Sequence, residues 1–353
     1  VVREPITVIL SEKGWIRAAK GKVEDPSELK FKEGDKLGFL VPAETTDKLL
    51  IFASDGRFFT LDCSKLPSAR GHGEPLRLMV DIDDRVKSSF DIESVVGLPL
   101  VGIVPEIKRM EQPEKAQIVA NNQDKQVVES FLTLHSSLRL KDESKRAQAI
   151  LVTSTIPGEG KSFTTTNLAL TFATHGEKVV IIDCDLRKPN IHKSFRLENI
   201  KGVIDICAGT QTIDQVVCKN VHPNLDVIPA GGRAKNPTQI LNSKNFELML
   251  SDLRKRYDRI FVDTPPLAAV SDALIILPLM DGSLFTIFFN RVRRKAAQFS
   301  ARKLLEVNVP CFGAVLNGLN LAVSGYYYAQ YYDKSYKDYY VTMAKQDPGT
   351  PDK

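Results

Sequence analysis

Hydrophobic positions follow two different rhythms along this chain. In residues 1–86 short apolar runs alternate with polar turns. Ile6-Thr-Val-Ile-Leu10 reaches Ser11-Glu-Lys-Gly14 and then Trp15-Ile-Arg-Ala-Ala19, which predicts a hairpin. Leu49-Leu-Ile-Phe-Ala53, the turn Ser54-Asp55-Gly56 and Phe58-Phe-Thr-Leu61 repeat the design, and Gly56 lies 42 positions after Gly14. That period suits four-stranded blades of a propeller-like array, and about two blades fit the segment. After Val86 the rhythm lengthens. Val101-Gly-Ile-Val-Pro105 predicts a short strand, and the charged stretch from Lys108 to Lys125 predicts a solvated connector. Val127, Val128, Phe131, Leu134 and Leu138 then share one face of a helix.

Apolar runs follow at Ala149 to Val152, Val179 to Ile182, Leu225 to Ile228, Arg259 to Val262, Gly282 to Phe289 and Phe312 to Leu316. Helical stretches, such as Ser162 to His175 and Ser243 to Arg256, lie between them. This alternation predicts an α/β fold, a mostly parallel sheet with helices on both faces and ligands at the carboxyl ends of the strands, preceded by a small all-β fragment.

Composition narrows the class. With 353 residues, 43% hydrophobic and 26% charged, the chain is too long and too mixed for a disulfide scaffold or a disordered tail. The longest apolar stretch, Ala268 to Phe289, is broken by Ser271, Asp272, Asp281 and Ser283, so it makes no membrane span. A start at Val1 without a leader reads as a trimmed piece and not as a secreted precursor. Cys63, Cys184, Cys207, Cys218 and Cys311 show no metal or disulfide spacing, which predicts a reduced cytoplasmic setting. A net charge of +5 is too weak and too evenly spread to argue for nucleic acid. Eight of the nine tyrosines crowd between Tyr326 and Tyr340.

The chemistry enters where the strand Ile150-Leu-Val-Thr153 runs into Ser154-Thr-Ile-Pro-Gly-Glu-Gly-Lys-Ser162 and a helical stretch. Strand, glycine loop, Lys-Ser and helix stand in the order of a phosphate cradle, a P-loop. Gly158 and Gly160 let backbone N–H groups approach phosphates, and the helix N-terminus adds a favourable dipole. Lys161 should reach the β and γ phosphates and Ser162 should ligate Mg2+. Thr155 replaces the first Gly of the usual pattern. The run Gly158, Glu159, Gly160, Lys161, Ser162 and Phe163 is the expected nucleotide-binding set. Twenty-two residues after Lys161, Val179-Val-Ile-Ile182 ends in Asp183-Cys-Asp185, two carboxylates at i and i+2 for holding a metal or taking a proton. Arg259-Ile-Phe-Val262 ends in Asp263, the expected Mg2+ carboxylate.

Two resemblances follow. ITVILSEKGWIRAAKG, LLIFASDGRFFTL and SARGHGEPL resemble the C-terminal pinwheel of the topoisomerase IV A subunit over about the first 84 residues, without that enzyme's cleavage machinery. TSTIPGEGKS, VVIIDCDLRKPN and YDRIFVDTPP, with the tyrosine tail, resemble bacterial protein tyrosine kinases of the polysaccharide-export type. The second resemblance implies an ATP- and Mg2+-dependent autokinase related to partition-type ATPases. It makes Lys161, Asp183, Asp185 and Asp263 catalytic, with Asp183 as the candidate base, and gives Ser162, Asp185 and Asp263 to the metal. Asn317 falls at the family's adenine-side position.

The implied phosphoacceptors are Tyr326, Tyr327, Tyr328, Tyr331, Tyr332, Tyr336, Tyr339 and Tyr340. The implied partners are other copies in a ring, a transmembrane adaptor and a cognate tyrosine phosphatase, which places the native protein at the inner face of the plasma membrane. One departure concerns the ring. Where the family carries Glu-x-x-Arg-x-x-Arg, Glu129 is followed here by Leu132 and His135, and His135 is expected at a surface or interface. The expected organisation is a pinwheel-like fragment over 1–86, an entry strand and connector over 87–125, a P-loop kinase domain over 126–325 and a tyrosine-rich tail over 326–353. Two other readings compete. A partition or septum-positioning ATPase would carry a Lys where Ile156 stands and lacks a tyrosine tail. A DNA-binding module carried by the first segment would call for a stronger net charge.

Overall fold

A computed structural model describes residues 3–53, 58–69, 71–80, 84–107, 110 and 113–319. The eight clustered tyrosines, and the turn at Ser54 to Gly56, lie outside the described residues. The chain divides into two compact units, Val1–Asp84 and Arg85–Lys353.

In the first unit the strands are β1 (Pro5–Ser11), β2 (Trp15–Lys20), β3 (Leu37–Glu44), β4 (Lys48–Phe52), β5 (Phe58–Asp62) and the short β6 (Glu74–Pro75). One four-stranded sheet has the order β3-β1-β2-β6, and β4 pairs with β5 alone. In place of the two expected blades, the described residues form one four-stranded sheet and a separately paired hairpin that packs on the same core. Both expected hairpins form, Leu10 facing Ile16 in one and Leu50 facing Thr60 in the other. Ile6, Val8, Ile16, Leu61 and Leu76 make a small core. The other face of the β4–β5 hairpin leaves Leu50, Phe52 and Phe58 exposed.

The second unit is built on an eight-stranded sheet among the described residues. Its strands are β7 (Leu100–Pro105), β8 (Ala149–Ser154), β9 (Val179–Asp183), β10 (Cys218–His222), β11 (Leu225–Ile228), β12 (Arg259–Asp263), β13 (Gly282–Phe288) and β14 (Cys311–Leu319). Their order is β10-β11-β9-β12-β8-β13-β14-β7, parallel throughout except for the β10–β11 edge. Alternation along each strand feeds two cores. Leu151, Ile182, Val262 and Leu316 face one, while Val152, Ile181, Phe261 and Val315 face the other. Helices α1 (Lys125–Leu140) and α2 (Lys161–Thr174) cover the second face. Helices α3 (Lys244–Arg256) and α4 (Arg294–Glu306) cover the first. Asp124 starts α1 by accepting the N–H groups of Gln126 and Val127, and Ser243 caps α3 through Phe246 N–H.

Two expectations need correction. The connector is not simply solvated. Ala116 and Ile118 are fully buried, and Asn167 of α2 ties the segment down, accepting from Val119 N–H and donating to Lys115 O. Charged neighbours conceal that short apolar plug in the sequence. His135 is not a surface residue either. It is 9% exposed, lies edge-on to Phe172 and stacks on His175 at 4.5 Å. Burial first, then the nearby His175, Arg139 and Arg259, push its pKa down to about 4, against a smaller upward pull from Glu177.

The unfolded chain takes up that proton near pH 6.5, so this contribution to stability is full above pH 6.5 and is lost as pH falls toward 4. Replacing His135 by Phe should therefore flatten the fall in melting temperature between pH 6.5 and 4. Equal slopes for the two proteins in a thermal scan would overturn this account.

Candidate nucleotide site

Strand β8 lies between β12 and β13, so its carboxyl end opens where neighbouring strands supply side chains from both sides. The chain leaves β8 as Thr155 to Gly160 and enters α2 at Lys161. Gly158 and Gly160 hold φ of 81° and 89°, in the left-handed region. At Gly160 a β-carbon would come within 2.5 Å of Asn317 Nδ2, so the close approach also requires glycine. Asn317, at the end of β14, donates to Glu159 O at 2.9 Å and to Thr164 Oγ1 at 3.0 Å. Its amide braces the loop, and among the described residues its Oδ1 is buried without a partner. Phe163 faces inward, edge-on to Phe131 and beneath the Lys115 ammonium.

Sequence pattern marks Glu159 only as part of the loop, yet the residue is completely buried. Its carboxylate accepts Ile156 N–H at 2.8 Å and Phe288 N–H at 3.3 Å, joining the loop to the end of β13. Burial pushes its pKa up to about 7, while those N–H groups and Lys161 pull the other way.

The acidic residues are brought to one place by strand register. Asp183 and Asp263 are direct neighbours across the β9–β12 pair. Asp263 accepts Ser162 Oγ–H at 2.6 Å and Thr165 Oγ1–H at 3.4 Å. Burial pushes its pKa up to about 6, and Lys161 and Ser162 hold it back from rising further. Asp183 is raised well above the usual carboxylate range, by burial first and then by Asp263. Its Oδ2 accepts Asn190 and Ile191 N–H, both at 3.0 Å, and its Oδ1 accepts Asp185 N–H at 3.2 Å. Asp185 lies half-buried in the loop beyond β9 and accepts Lys188 N–H at 2.9 Å. Asp183 is thus an internal brace, and Asp185 is the more accessible of the two.

The geometry fits a magnesium nucleotide. Glycine-rich backbone, a buried Lys161 and the Ser162–Asp263 pair converge at one helix N-terminus. Among the described residues no three His, Cys, Asp or Glu side chains form a metal cluster. Mg2+ is usually held by one or two carboxylates together with substrate phosphates, and Ser162 and Asp263 are the side chains placed for that role.

Three surrounding residues escape sequence reasoning. Thr165 reaches Asp263 from the next turn of α2. Asp272, fully buried, holds Arg187 of the Asp185 loop through bonds of 2.8 and 3.0 Å. Arg291, beyond β13, donates to Gly158 O. No spacing rule links these residues to the loop. The basic run Arg291-Val-Arg-Arg-Lys295 is the one cue for Arg291.

Fold and site together define a P-loop nucleotide-binding protein, and an AAA-domain family (AAA_31) matches residues 147–279. Tyrosine-protein kinase YwqD of Bacillus subtilis is 34% identical over 202 residues, 56% of this chain and 85% of that one. The kinase domain of the Escherichia coli tyrosine kinase ETK superposes with a TM-score of 0.58 at 27% identity, over 64% of this chain and 91% of that domain. The chain belongs to the bacterial tyrosine-protein kinases. Its first segment is similar to a different protein. The DNA topoisomerase 4 A subunit of Caulobacter vibrioides is 84% identical over 87 residues, 25% of this chain but only 12% of that protein.

Among the described residues no helix is long and apolar enough to cross a membrane.

Proposed function

We propose that the unit from Arg85 onward is an ATP-dependent tyrosine autokinase. It transfers the γ-phosphate of ATP to the tyrosines at 326–340 of another copy and thereby regulates the synthesis and export of extracellular or capsular polysaccharide. The observation that carries this reading is the convergence of Lys161, Ser162 and Asp263 at the carboxyl ends of β8 and β12.

Phosphoryl transfer asks for positioning and charge neutralisation more than for covalent chemistry. Backbone N–H groups of the loop orient the phosphates, and Lys161 offsets their charge. Ser162 and Asp263 are the residues that hold Mg2+, which supplies further neutralisation of the phosphate oxygens when bound. The acceptor tyrosine oxygen forms the new bond to the γ-phosphorus as the bond to ADP breaks. A phenol with a pKa near ~10 must lose its proton on the way. We assign that proton to Asp185 and not to Asp183, because Asp183 is completely buried with three backbone N–H groups on its carboxylate, whereas Asp185 is half-buried.

The same reading includes a transmembrane adaptor at the inner face of the plasma membrane, a cognate phosphatase and assembly with other copies. The assembly helix differs at two positions, with Leu132 half-buried and His135 buried where the family carries cations. For the topoisomerase-like segment we propose a passive module. Residues 1–86 carry 14 basic and 15 acidic side chains, which offer no electrostatic clamp for DNA.

The test is incubation of the purified chain with γ-labelled ATP and Mg2+, followed by peptide mapping. Label should fall on the 326–340 peptide, and replacing all eight of its tyrosines by Phe should cut incorporation at least about tenfold. Label persisting in that variant overturns the acceptor assignment. Hydrolysis without any tyrosine label from the unaltered chain moves the reading to a regulatory ATPase.

A further inference from the structure

The β13-to-α4 connection brings a cation to the phosphate loop from 133 positions away. Arg291 Nη1 donates to the carbonyl of Gly158, and its guanidinium lies over the Phe288 ring at 5.0 Å. Contact with the loop is close enough that a β-carbon placed on Gly158 would come within 2.8 Å of Nη1. The connection itself is braced. Asn290 holds a φ of 54°, its N–H donates to Val86 O, and its carbonyl accepts Arg85 Nη1–H at 3.2 Å. Glu159 fixes the same junction from inside by accepting Phe288 N–H.

The surroundings show what this arginine is not for. Among the described residues it pairs with no carboxylate, whereas Arg187, Arg254 and Arg259 each bond an acidic side chain. It is exposed, so it completes no buried network. A guanidinium has five N–H donors, and one carbonyl engages one of them. An arginine with spare donors and, among the described residues, no counter-ion, held against a glycine three residues before Lys161, is placed to receive anionic oxygens. Its planar fork suits phosphate bidentately in a way that an ammonium does not.

We propose that Arg291 is a further catalytic residue, a cation supplied by the same chain that engages the terminal phosphate oxygens as charge redistributes during transfer. This rests on the kinase reading above. Arg291 makes and breaks no covalent bond. Its N–H donors meet the phosphate oxygens while the phosphoryl group passes to the tyrosine oxygen. Because it acts on charge that develops in the transition state, it should contribute to kcat more than to nucleotide affinity.

The experiment compares the full chain with Arg291→Ala and Arg291→Lys. It measures ADP–Mg2+ affinity by fluorescent-nucleotide displacement, the affinity for ADP–Mg2+ with aluminium fluoride, and tyrosine labelling. The expected result for Arg291→Ala is ADP affinity within about threefold of the parent, with fluoride-complex affinity and labelling rate both down about 100-fold. Arg291→Lys should recover only part of each. Equal losses of ADP and fluoride-complex affinity would reduce Arg291 to a brace for the loop and overturn the proposal. So would labelling and fluoride-complex affinity within threefold of the parent. The fluoride measurement separates the two readings. A parent chain that binds the complex through Arg291 but labels no tyrosine sinks the kinase assignment alone.

Discussion

A chain carrying Lys161→Met should lose tyrosine labelling from ATP by about three orders of magnitude, a barrier increase of about 4 kcal/mol. Methionine retains most of the side chain's length and fills the same space, so packing around this buried position survives. What disappears is one positive charge among acidic groups. Lys161 draws down the proton affinity of both Asp263 and Glu159. Without it the Asp263 pKa rises beyond about 6 toward neutrality, and a protonated carboxyl holds Mg2+ poorly. The loss should therefore depend on pH. Raising the pH from 7 to 8.5 should restore part of the mutant's Mg2+–nucleotide affinity and leave the parent almost unchanged. Rate assays with labelled ATP, paired with nucleotide titrations at both pH values, check this. Labelling within tenfold of the parent would mean that the ammonium does not act on the transferred phosphate.

The residues that make this site legible are those in which a single chain segment carries both pattern and chemistry. Val179 to Ile182 is buried along its whole length, as a strand covered on both faces must be, and it ends directly in Asp183. Arg259 to Asp263 follows the same rule. The glycine loop is readable because its φ angles demand glycine at fixed places before a helix. Where neighbours in space are distant in sequence, the signal fails. Arg291 looks like one member of a basic run until β8 and β13 lie side by side. His135 fits the buried face of α1 because Phe172 and His175 offer it ring surfaces to pack on. Edge strands are hard for a different reason. Cys218-Lys-Asn-Val-His222 has no alternating pattern because no residue of it is fully buried on either face, and β3 contains Gly38 and Pro42, which read as breakers. The proposed choice of base turns on burial and the backbone, since sequence shows two carboxylates at i and i+2 but not that Asp183 is completely buried with three N–H groups on its carboxylate.

Asp263→Asn should make the protein more stable and nearly inactive at once. The Asp263 carboxyl is almost wholly buried, and its pKa of about 6 lies above the ordinary 3.8 because burial disfavours its charge. The folded state therefore holds this proton more tightly than the unfolded chain. Its cost is absent below pH 3.8, grows as pH rises to about 6 and stays in full above that. A shift of this size corresponds to something on the order of 2–3 kcal/mol. Asparagine is neutral throughout and can still accept Ser162 Oγ–H, which Asp263 receives at 2.6 Å. Its amide N–H can turn to Thr165 Oγ1. It also relieves Asp183, whose own proton affinity is raised by the charge on Asp263. Without nucleotide at pH 8, the mutant's second unit should melt about 4–10 °C above the parent's, with the gap closing toward pH 4. Added Mg2+ and ADP should raise the parent's melting temperature and hardly move the mutant's, because the carboxylate that costs stability is the one proposed to hold the metal. Labelling should fall at least about 100-fold. A mutant that melts below the parent at pH 8 would show that Asp263 stabilises the fold as an anion and would overturn this account of why the site keeps a buried carboxylate.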